Sequence, residues 1–185
     1  SRNLYLRDDE GAVEKDVLAI LLLRSFLKAG EYQQGIEFAS TLSNLTERVQ
    51  LLLDGFLVYA HFALEQDAFA DLHLKSFMQF SGHQASDYLR LALDLVSIGR
   101  QEIALDMLKK ALELDDRNQA VLEEALKLEL ELSDLQSIQA RLEPYLTTRR
   151  PNKDLLQACY DKLVGDRFMF EKNRVPLLMK LRAYL

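Results

Sequence analysis

The 185-residue chain has few of the residues that break helices or form tight turns: only seven glycines and three prolines. This is about half the share found in an average globular protein, which argues against a turn-rich β-sandwich. Valine, isoleucine and threonine total only 17, whereas leucine and alanine total 56. Leucine and alanine lose little side-chain freedom in a helix. The composition therefore predicts an all-α fold.

Cysteine and long apolar runs are also scarce. The single cysteine, Cys159, excludes an intramolecular disulfide and any multi-thiolate metal site. It leaves the redox compartment open, and for a soluble chain we favour the cytoplasm. The longest apolar run, residues 17–23, has seven residues, far fewer than the roughly 20 that a transmembrane helix needs. We therefore expect no direct membrane insertion.

Positive charge is outnumbered, since 23 Lys and Arg residues face 29 Asp and Glu residues for a net charge of −6. This sign argues against a protein that binds nucleic acid phosphates. The balance is uneven along the chain, because residues 151–185 carry seven basic and four acidic side chains. We expect most of these charges to lie on solvated helix faces, with no nucleic acid partner.

Residues that carry catalysis or bind metals form no recognised constellation. The glycines are scattered singly, so there is no phosphate-binding loop, and His61, His73 and His83 lack the spacing of metal-binding motifs. Cys159 with a distant histidine is a weak nucleophile hypothesis, and the alternative is a buried structural thiol. The sequence therefore predicts a protein that is not an enzyme and holds no metal or cofactor.

The clearest pattern lies in residues 85–118, which read as two amphipathic helices separated by a break at residues 98–100. Each helix has an apolar stripe at the i, i+3 or i+4, i+7 spacing. The stripes consist of Tyr88, Leu91, Ala92 and Leu95, and of Ala104, Leu108, Ala111 and Leu112. The alanines let two helices approach closely, and Gly99 can end the first helix in a left-handed conformation.

This segment resembles a tetratricopeptide repeat, the 34-residue helix–turn–helix unit. The family signature contains an aromatic residue, leucine, a small residue, a turn glycine, alanine, a large apolar residue and a second alanine. The corresponding residues here are Tyr88, Leu91, Ala92, Gly99, Ala104, Leu108 and Ala111. The resemblance implies a right-handed superhelical solenoid of antiparallel helix hairpins.

The same repeat frame extends over residues 16–164 and gives four to five hairpins. A repeat that starts near Asp16 places Gly30 at its turn, 69 residues before Gly99, and has Gly35 where the family usually has alanine. The repeat at residues 51–84 is degenerate, since Gln66 replaces the turn glycine. We expect residues 1–15 to form an N-terminal extension or cap, and residues 165–185 a capping or docking helix.

Two prolines mark the later helices. The repeat at residues 119–152 has Ser133 as a candidate N-cap, and Pro144 should kink or shorten its second helix. Pro151 then suits the first turn of a half-repeat that runs from residue 152 to residue 164, before Gly165.

In this family the first helix of each hairpin lines a concave groove that binds polypeptides. Carried over to this chain, the predicted groove residues are Arg24, Lys28, Tyr59, Phe62, Leu89, Leu93, Val96 and Lys127. The alternative is a shifted register in which the apolar members of this set belong to the core. Near the C-terminus, a basic amphipathic stretch gives three candidate docking residues for an acidic partner, Arg174, Lys180 and Arg182.

The expected function is that of a protein–protein interaction scaffold or adaptor, which binds a partner protein or peptide in the groove and forms part of a larger protein. One alternative is a secretion-type chaperone that holds an apolar segment of an exported protein. Another is a regulatory domain of an enzyme whose catalytic part lies outside this sequence. The oligomeric state stays open.

Overall fold

The computed structural model describes the backbone of residues 2–185 and the side chains of residues 15–165 and 167–185. Helices make up 77% of the chain, and none of the described residues lies in a β-strand. The all-α prediction is confirmed. The described residues form ten α-helices and a short 3-10 helix, Asp166–Phe168. The α-helices are α1 (Arg2–Ala29), α2 (Tyr32–Thr41), α3 (Glu47–Ala63), α4 (Asp67–Gln79), α5 (Ala85–Ser97), α6 (Gln101–Leu114), α7 (Gln119–Leu132), α8 (Leu135–Leu146), α9 (Lys153–Val164) and α10 (Arg174–Arg182).

The chain divides into two compact units, Ser1–Gly82 and His83–Leu185, called unit 1 and unit 2 below. In unit 1, α1 packs against α2 and α3, and α3 packs against α4. In unit 2, consecutive helices from α5 to α8 pack together, and α9 packs against α7 and α10. The predicted extension at residues 1–15 falls largely on side chains outside the described residues. The continuous superhelical array remains a prediction.

Three helix–helix turns share one backbone geometry. In each turn a residue adopts a positive φ: Gly30 (72°), Glu65 (58°) and Gly99 (77°). The N–H of the following residue donates to a carbonyl five residues earlier. These bonds join Glu31 to Phe26 at 3.0 Å, Gln66 to His61 at 2.8 Å and Arg100 to Leu95 at 2.9 Å. This is the Schellman arrangement, which satisfies carbonyls at a helix end.

The left-handed turn predicted for Gly99 is therefore confirmed. The expectation that Gln66 replaces the turn glycine is wrong by one residue, because Glu65 occupies the left-handed position. A residue with a Cβ rarely adopts this conformation, so the turn is identified by its φ and its carbonyl bonds and not by the residue type. The three left-handed residues lie 35 and 34 residues apart.

The core of unit 1 depends on one glycine. Gly35 of α2 is buried, and a Cβ atom built there would lie 2.5 Å from Cζ of Phe56 and 3.1 Å from Cβ of Phe26. The Phe56 ring therefore fills the space that an alanine side chain would take. Around it lies a cluster of buried apolar residues from α1, α2 and α3, namely Leu23, Ala39, Leu53, Phe56, Leu57 and Ala60.

The hairpin of α5 and α6 places the family signature in the interior of unit 2. The six signature side chains other than the turn glycine are all buried: Tyr88, Leu91, Ala92, Ala104, Leu108 and Ala111. The next hairpin contains an ion pair in which the buried Glu129 of α7 accepts from Nη2 of the half-buried Arg141 of α8 at 3.2 Å. Burial raises the pKa of Glu129, and Arg141 offsets part of this effect. The pair joins α7 to α8 across their turn.

The ends of α8 and α9 differ from expectation. Ser133 ends α7, and the N-cap of α8 is Asp134, whose side chain accepts from the N–H of Ser137. The carboxylate of Asp134 caps α8 because it accepts hydrogen bonds from the first turn of this helix. These bonds also lower the pKa of Asp134. Pro144 lies inside α8, which ends two residues later. Pro151 lies before α9 and not in its first turn, since the next residue is the N-cap.

The segment after α9 is held against α7. Arg167 donates to the carbonyl oxygens of Leu130 at 3.0 Å, Glu131 at 2.7 Å and Ser133 at 2.6 Å. A cation at a helix C-terminus satisfies free carbonyls and complements the helix dipole. Arg167 therefore fixes the 3-10 helix to the C-terminal end of α7.

Candidate interaction surfaces

The four predicted groove residues of unit 1 lie in different environments. Arg24 and Lys28 of α1 are exposed. Tyr59 of α3 is half-buried, and its hydroxyl lies 3.5 Å from the hydroxyl of Tyr32, with the two rings edge to face. Phe62 is only 4% exposed, so it offers no contact surface. Of the four predicted groove residues in unit 1, Arg24 and Lys28 are therefore accessible to a partner, and Tyr59 is accessible in part.

The three groove residues predicted on α5 form one stripe. Leu89, Leu93 and Val96 fall at i, i+4 and i+7, the spacing of one helix face. Leu93 is 45% exposed, and Leu89 and Val96 are half-buried. The opposite side of α5 packs into unit 2. This aliphatic stripe is an accessible surface on a helix that the rest of the hairpin holds in place.

The fourth predicted residue of unit 2, Lys127 of α7, is exposed. Its ammonium group lies 2.6 Å from a carboxylate oxygen of Glu124, one turn earlier on the same helix. Surface pairs of this kind stabilise little. Lys127 is therefore free to exchange this partner for an acidic group on a bound polypeptide.

The three predicted docking residues of the C-terminal stretch have separate roles. Lys180 donates to Glu143 of α8 at 2.7 Å, a hydrogen bond that lowers the pKa of Glu143. Arg174 is half-buried, and Arg182 is exposed near the end of α10. Lys180 thus joins α10 to α8 although its side chain is 53% exposed, and Arg182 is the other exposed member of the three.

A polar cluster joins α3 to α4 inside unit 1. The buried carboxylate of Asp54 accepts from the hydroxyl of Ser76 at 2.8 Å and lies 3.4 Å from Nδ1 of His73. The imidazole of His73 stacks on that of His61, with centroids 5.4 Å apart. In a nucleophilic triad the hydroxyl must bond the histidine, whereas Ser76 bonds the carboxylate directly. The cluster is arranged to connect two helices.

The thiol of Cys159 and the possible metal ligands bear on whether the chain could carry out catalysis or bind a metal. The thiol of Cys159 is buried, and burial raises its pKa to about 12. A thiol with such a pKa is a poor nucleophile near neutral pH. The structure therefore favours the interpretation of Cys159 as a buried structural thiol over that of a nucleophile. Among the side chains that the structure describes, no three His, Cys, Asp or Glu residues are grouped to hold a metal ion.

The structure also presents apolar residues that the predicted site does not contain. Four of them lie on α1, where Val17, Leu18, Leu21 and Leu22 are 38–57% exposed. Leu22 occupies a repeat position that is buried in the α5–α6 hairpin, so α1 departs from the repeat pattern here. The signal was present in the sequence: an apolar run longer than one helical turn places apolar side chains on every face.

Within the described part of the chain, no helix has both the length and the apolar character to cross a bilayer. In comparisons with known proteins, no family model, no curated protein and no solved structure matches the chain. Its function is therefore argued from its own residues.

Proposed function

We propose that the chain is a non-enzymatic interaction scaffold or adaptor that binds a partner polypeptide on the exposed faces of its helices and belongs to a larger protein. The observation that carries the proposal is the aliphatic stripe of α5. Leu93 is 45% exposed there although the signature residues of the same hairpin are buried. With the half-buried Leu89 and Val96, Leu93 forms a contiguous aliphatic stripe on one helix face, and such a stripe supports a surface that another polypeptide covers.

The repeated turn supports the resemblance to tetratricopeptide repeats. Gly30, Glu65 and Gly99 adopt the same left-handed conformation at intervals of 35 and 34 residues. Five residues after each of them lies a small buried residue: Gly35, Ala70 and Ala104. A period of this length is typical of repeat proteins, in which extended helical surfaces bind partners.

The polar groups of the described residues support a binding role over a catalytic one. The carboxylate of Asp54 is engaged by Ser76 and His73, and the hydroxyl of Tyr145 connects Glu123 at 3.0 Å to the N–H of Asn152 at 2.6 Å. Each group links neighbouring helices. Their hydrogen bonds account for their burial without a substrate.

The test is partner capture by the tagged chain in its wild-type form and as Leu93→Glu. A charge in the centre of an apolar contact is costly when it is desolvated, so Leu93→Glu should lose a specific partner that the wild type retains. The matched control is Leu114→Glu, since Leu114 is 54% exposed on α6, the second helix of the same hairpin. Circular dichroism should show that both variants keep the helical content of the wild type.

The partner, identified by mass spectrometry, is then purified and titrated against the three chains. Loss of binding for Leu93→Glu alone supports the proposal. Equal binding by all three chains contradicts the role of the α5 stripe, and the absence of any partner bound specifically by the wild type contradicts the scaffold itself.

A further inference from the structure

Helix α1 has apolar side chains on both of its faces. On the inner face Ala19 and Leu23 are buried, where α1 packs against α2 and α3. The outer face presents Val17, Leu18, Leu21 and Leu22, which are 38–57% exposed. Over residues 17–23 the helix is apolar on every side, and a helical segment of this kind is normally covered all round. The outer face therefore has the composition of a contact surface and not of a solvated one.

The border of this outer face is basic. Lys15 lies along one edge, in the row of Leu22, and Arg24 lies along the other, in the row of Val17. Lys28 follows Leu21 in its row at the C-terminal end of the face, and all three cations are exposed. None of the three forms an ion pair with a residue whose side chain the structure describes. Asp16, the only acidic residue between positions 15 and 29, is buried and accepts from the hydroxyl of Thr46 at 2.8 Å. The chain as a whole carries a charge of −6, and Glu14 directly precedes Lys15, so the excess of positive charge is confined to residues 15–28.

We infer that the outer face of α1 binds an amphipathic helix of a partner polypeptide whose apolar stripe is flanked by carboxylates. The leucines Leu18, Leu21 and Leu22 present two adjacent rows over about a turn and a half, which suits the ridge of a second helix. Carboxylates on both sides of the partner's stripe would face Lys15 on one edge and Arg24 on the other, and one at the end of the stripe would face Lys28. This inference rests on the proposed function, and it names the chemistry of a partner.

The site shares Arg24 and Lys28 with the groove predicted from the family resemblance, but its leucines, Leu18, Leu21 and Leu22, are not groove residues in that frame. An anionic membrane would meet the same basic border. It is the weaker occupant, because three basic residues add only modest attraction to a lipid surface and the net charge of −6 opposes it. The inner face of α1 is also occupied by α2 and α3, which limits insertion.

The probe is a synthetic fluorescein-labelled peptide of about 18 residues, with leucines on one helical stripe and glutamates on both flanks. Fluorescence anisotropy with the whole chain should show saturable binding that weakens as salt is added. A control peptide in which lysine replaces every glutamate should bind at least about tenfold more weakly. Failure of the acidic peptide to bind in low salt would overturn the inference.

Two matched pairs of variants locate the site on the chain. Leu21→Ser should raise the Kd about tenfold, as truncation at the centre of an interface does, whereas Leu72→Ser should leave it within about twofold. Leu21 is 56% exposed on α1 and Leu72 is 61% exposed on α4, and both belong to unit 1. Lys28→Glu should weaken binding in low salt only, and Lys75→Glu, at an exposed position of α4, should not.

Three other results would contradict the inference. Equal losses for Leu21→Ser and Leu72→Ser would mean non-specific adhesion. Binding to phosphatidylglycerol vesicles, without peptide binding and abolished by Leu21→Ser, would assign the face to a membrane. Self-association in sedimentation velocity that Leu21→Ser abolishes would assign it to a second copy of the chain. Each of these leaves partner capture through Leu93 intact, so the proposed function is tested separately.

Discussion

Gly35 of α2 gives the sharpest test of the packing in unit 1, through the substitution Gly35→Ala. The new Cβ would lie 2.5 Å from Cζ of Phe56 and 3.1 Å from Cβ of Phe26. Overpacking of this kind costs about 1–3 kcal/mol, while alanine in place of glycine in a helix returns about 1 kcal/mol. Because a separation of 2.5 Å is far inside van der Waals contact, we expect the upper part of that range, about 2–3 kcal/mol, and hence a net loss of about 1–2 kcal/mol in the free energy of unfolding.

The matched control is Gly55→Ala in α3. There the new Cβ meets its nearest neighbour, Cε2 of Phe77, at 3.5 Å, which is an ordinary van der Waals contact. Only the helix propensity changes, so the expected result is a gain of up to about 1 kcal/mol. Two glycine-to-alanine substitutions in unit 1 should therefore change the free energy of unfolding in opposite directions.

Urea denaturation followed by circular dichroism measures both effects, and a rescue variant tests their cause. Phe56→Leu removes the Cζ atom that clashes, so Gly35→Ala should cost less in that background, with a coupling of at least about 0.5 kcal/mol. The contact with Phe26 remains, so rescue should be partial. A Gly35→Ala chain as stable as the wild type would refute the packing described here.

Further predictions concern turns, burial and charge. Gly99→Ala should lose about 1 kcal/mol because φ is positive there, and Glu65→Gly should gain stability at the equivalent turn; thermal unfolding that showed the reverse order would contradict the shared geometry. The Cys159 thiol, with a pKa of about 12, should react with Ellman's reagent at pH 8 only after unfolding, and rapid reaction of the folded chain would show that it is accessible. Burial raises the pKa of Glu129 above its ordinary 4.5, so the folded chain binds this proton more tightly than the unfolded chain and stability falls as pH rises from 4.5 towards the folded pKa. Glu129→Gln should flatten that part of the stability profile, and an unchanged profile would refute the assignment.

The α5–α6 hairpin could be predicted from the sequence because several local signals agree there. The apolar stripes have helical spacing, the alanines lie at the close contacts, and Gly99 ends the first helix. Local propensity and packing thus favour the same structure. The equivalent turn at Glu65 could not be placed, because a non-glycine residue at positive φ has no sequence signature.

Burial at the candidate site depended on tertiary contacts that the sequence pattern does not contain. Phe62 and Leu93 are both apolar groove positions in the repeat frame, yet Phe62 is buried and Leu93 is exposed. Which face of a helix is covered depends on the helices packed around it, and the local apolar pattern does not specify these helices. The link from Asp54 to Ser76 likewise joins residues 22 positions apart on separate helices, beyond any local pattern.

The exposed face of α1 is the part of the surface that could have been found and was not. The seven-residue apolar run at positions 17–23 is too short for a transmembrane segment. A run of that length covers nearly two helical turns. It therefore predicts an apolar outer face whichever side packs inward.

The central claim is that the exposed stripe of α5 contacts a partner polypeptide. The most direct measurement is photo-crosslinking in cells, with benzoylphenylalanine at position 93 of α5 and, in a separate chain, at position 114 of α6. Both positions are leucines that are about half exposed. A discrete crosslinked partner from position 93 and none from position 114 is the predicted result. The same products from both positions, or no product from position 93, would contradict the claim.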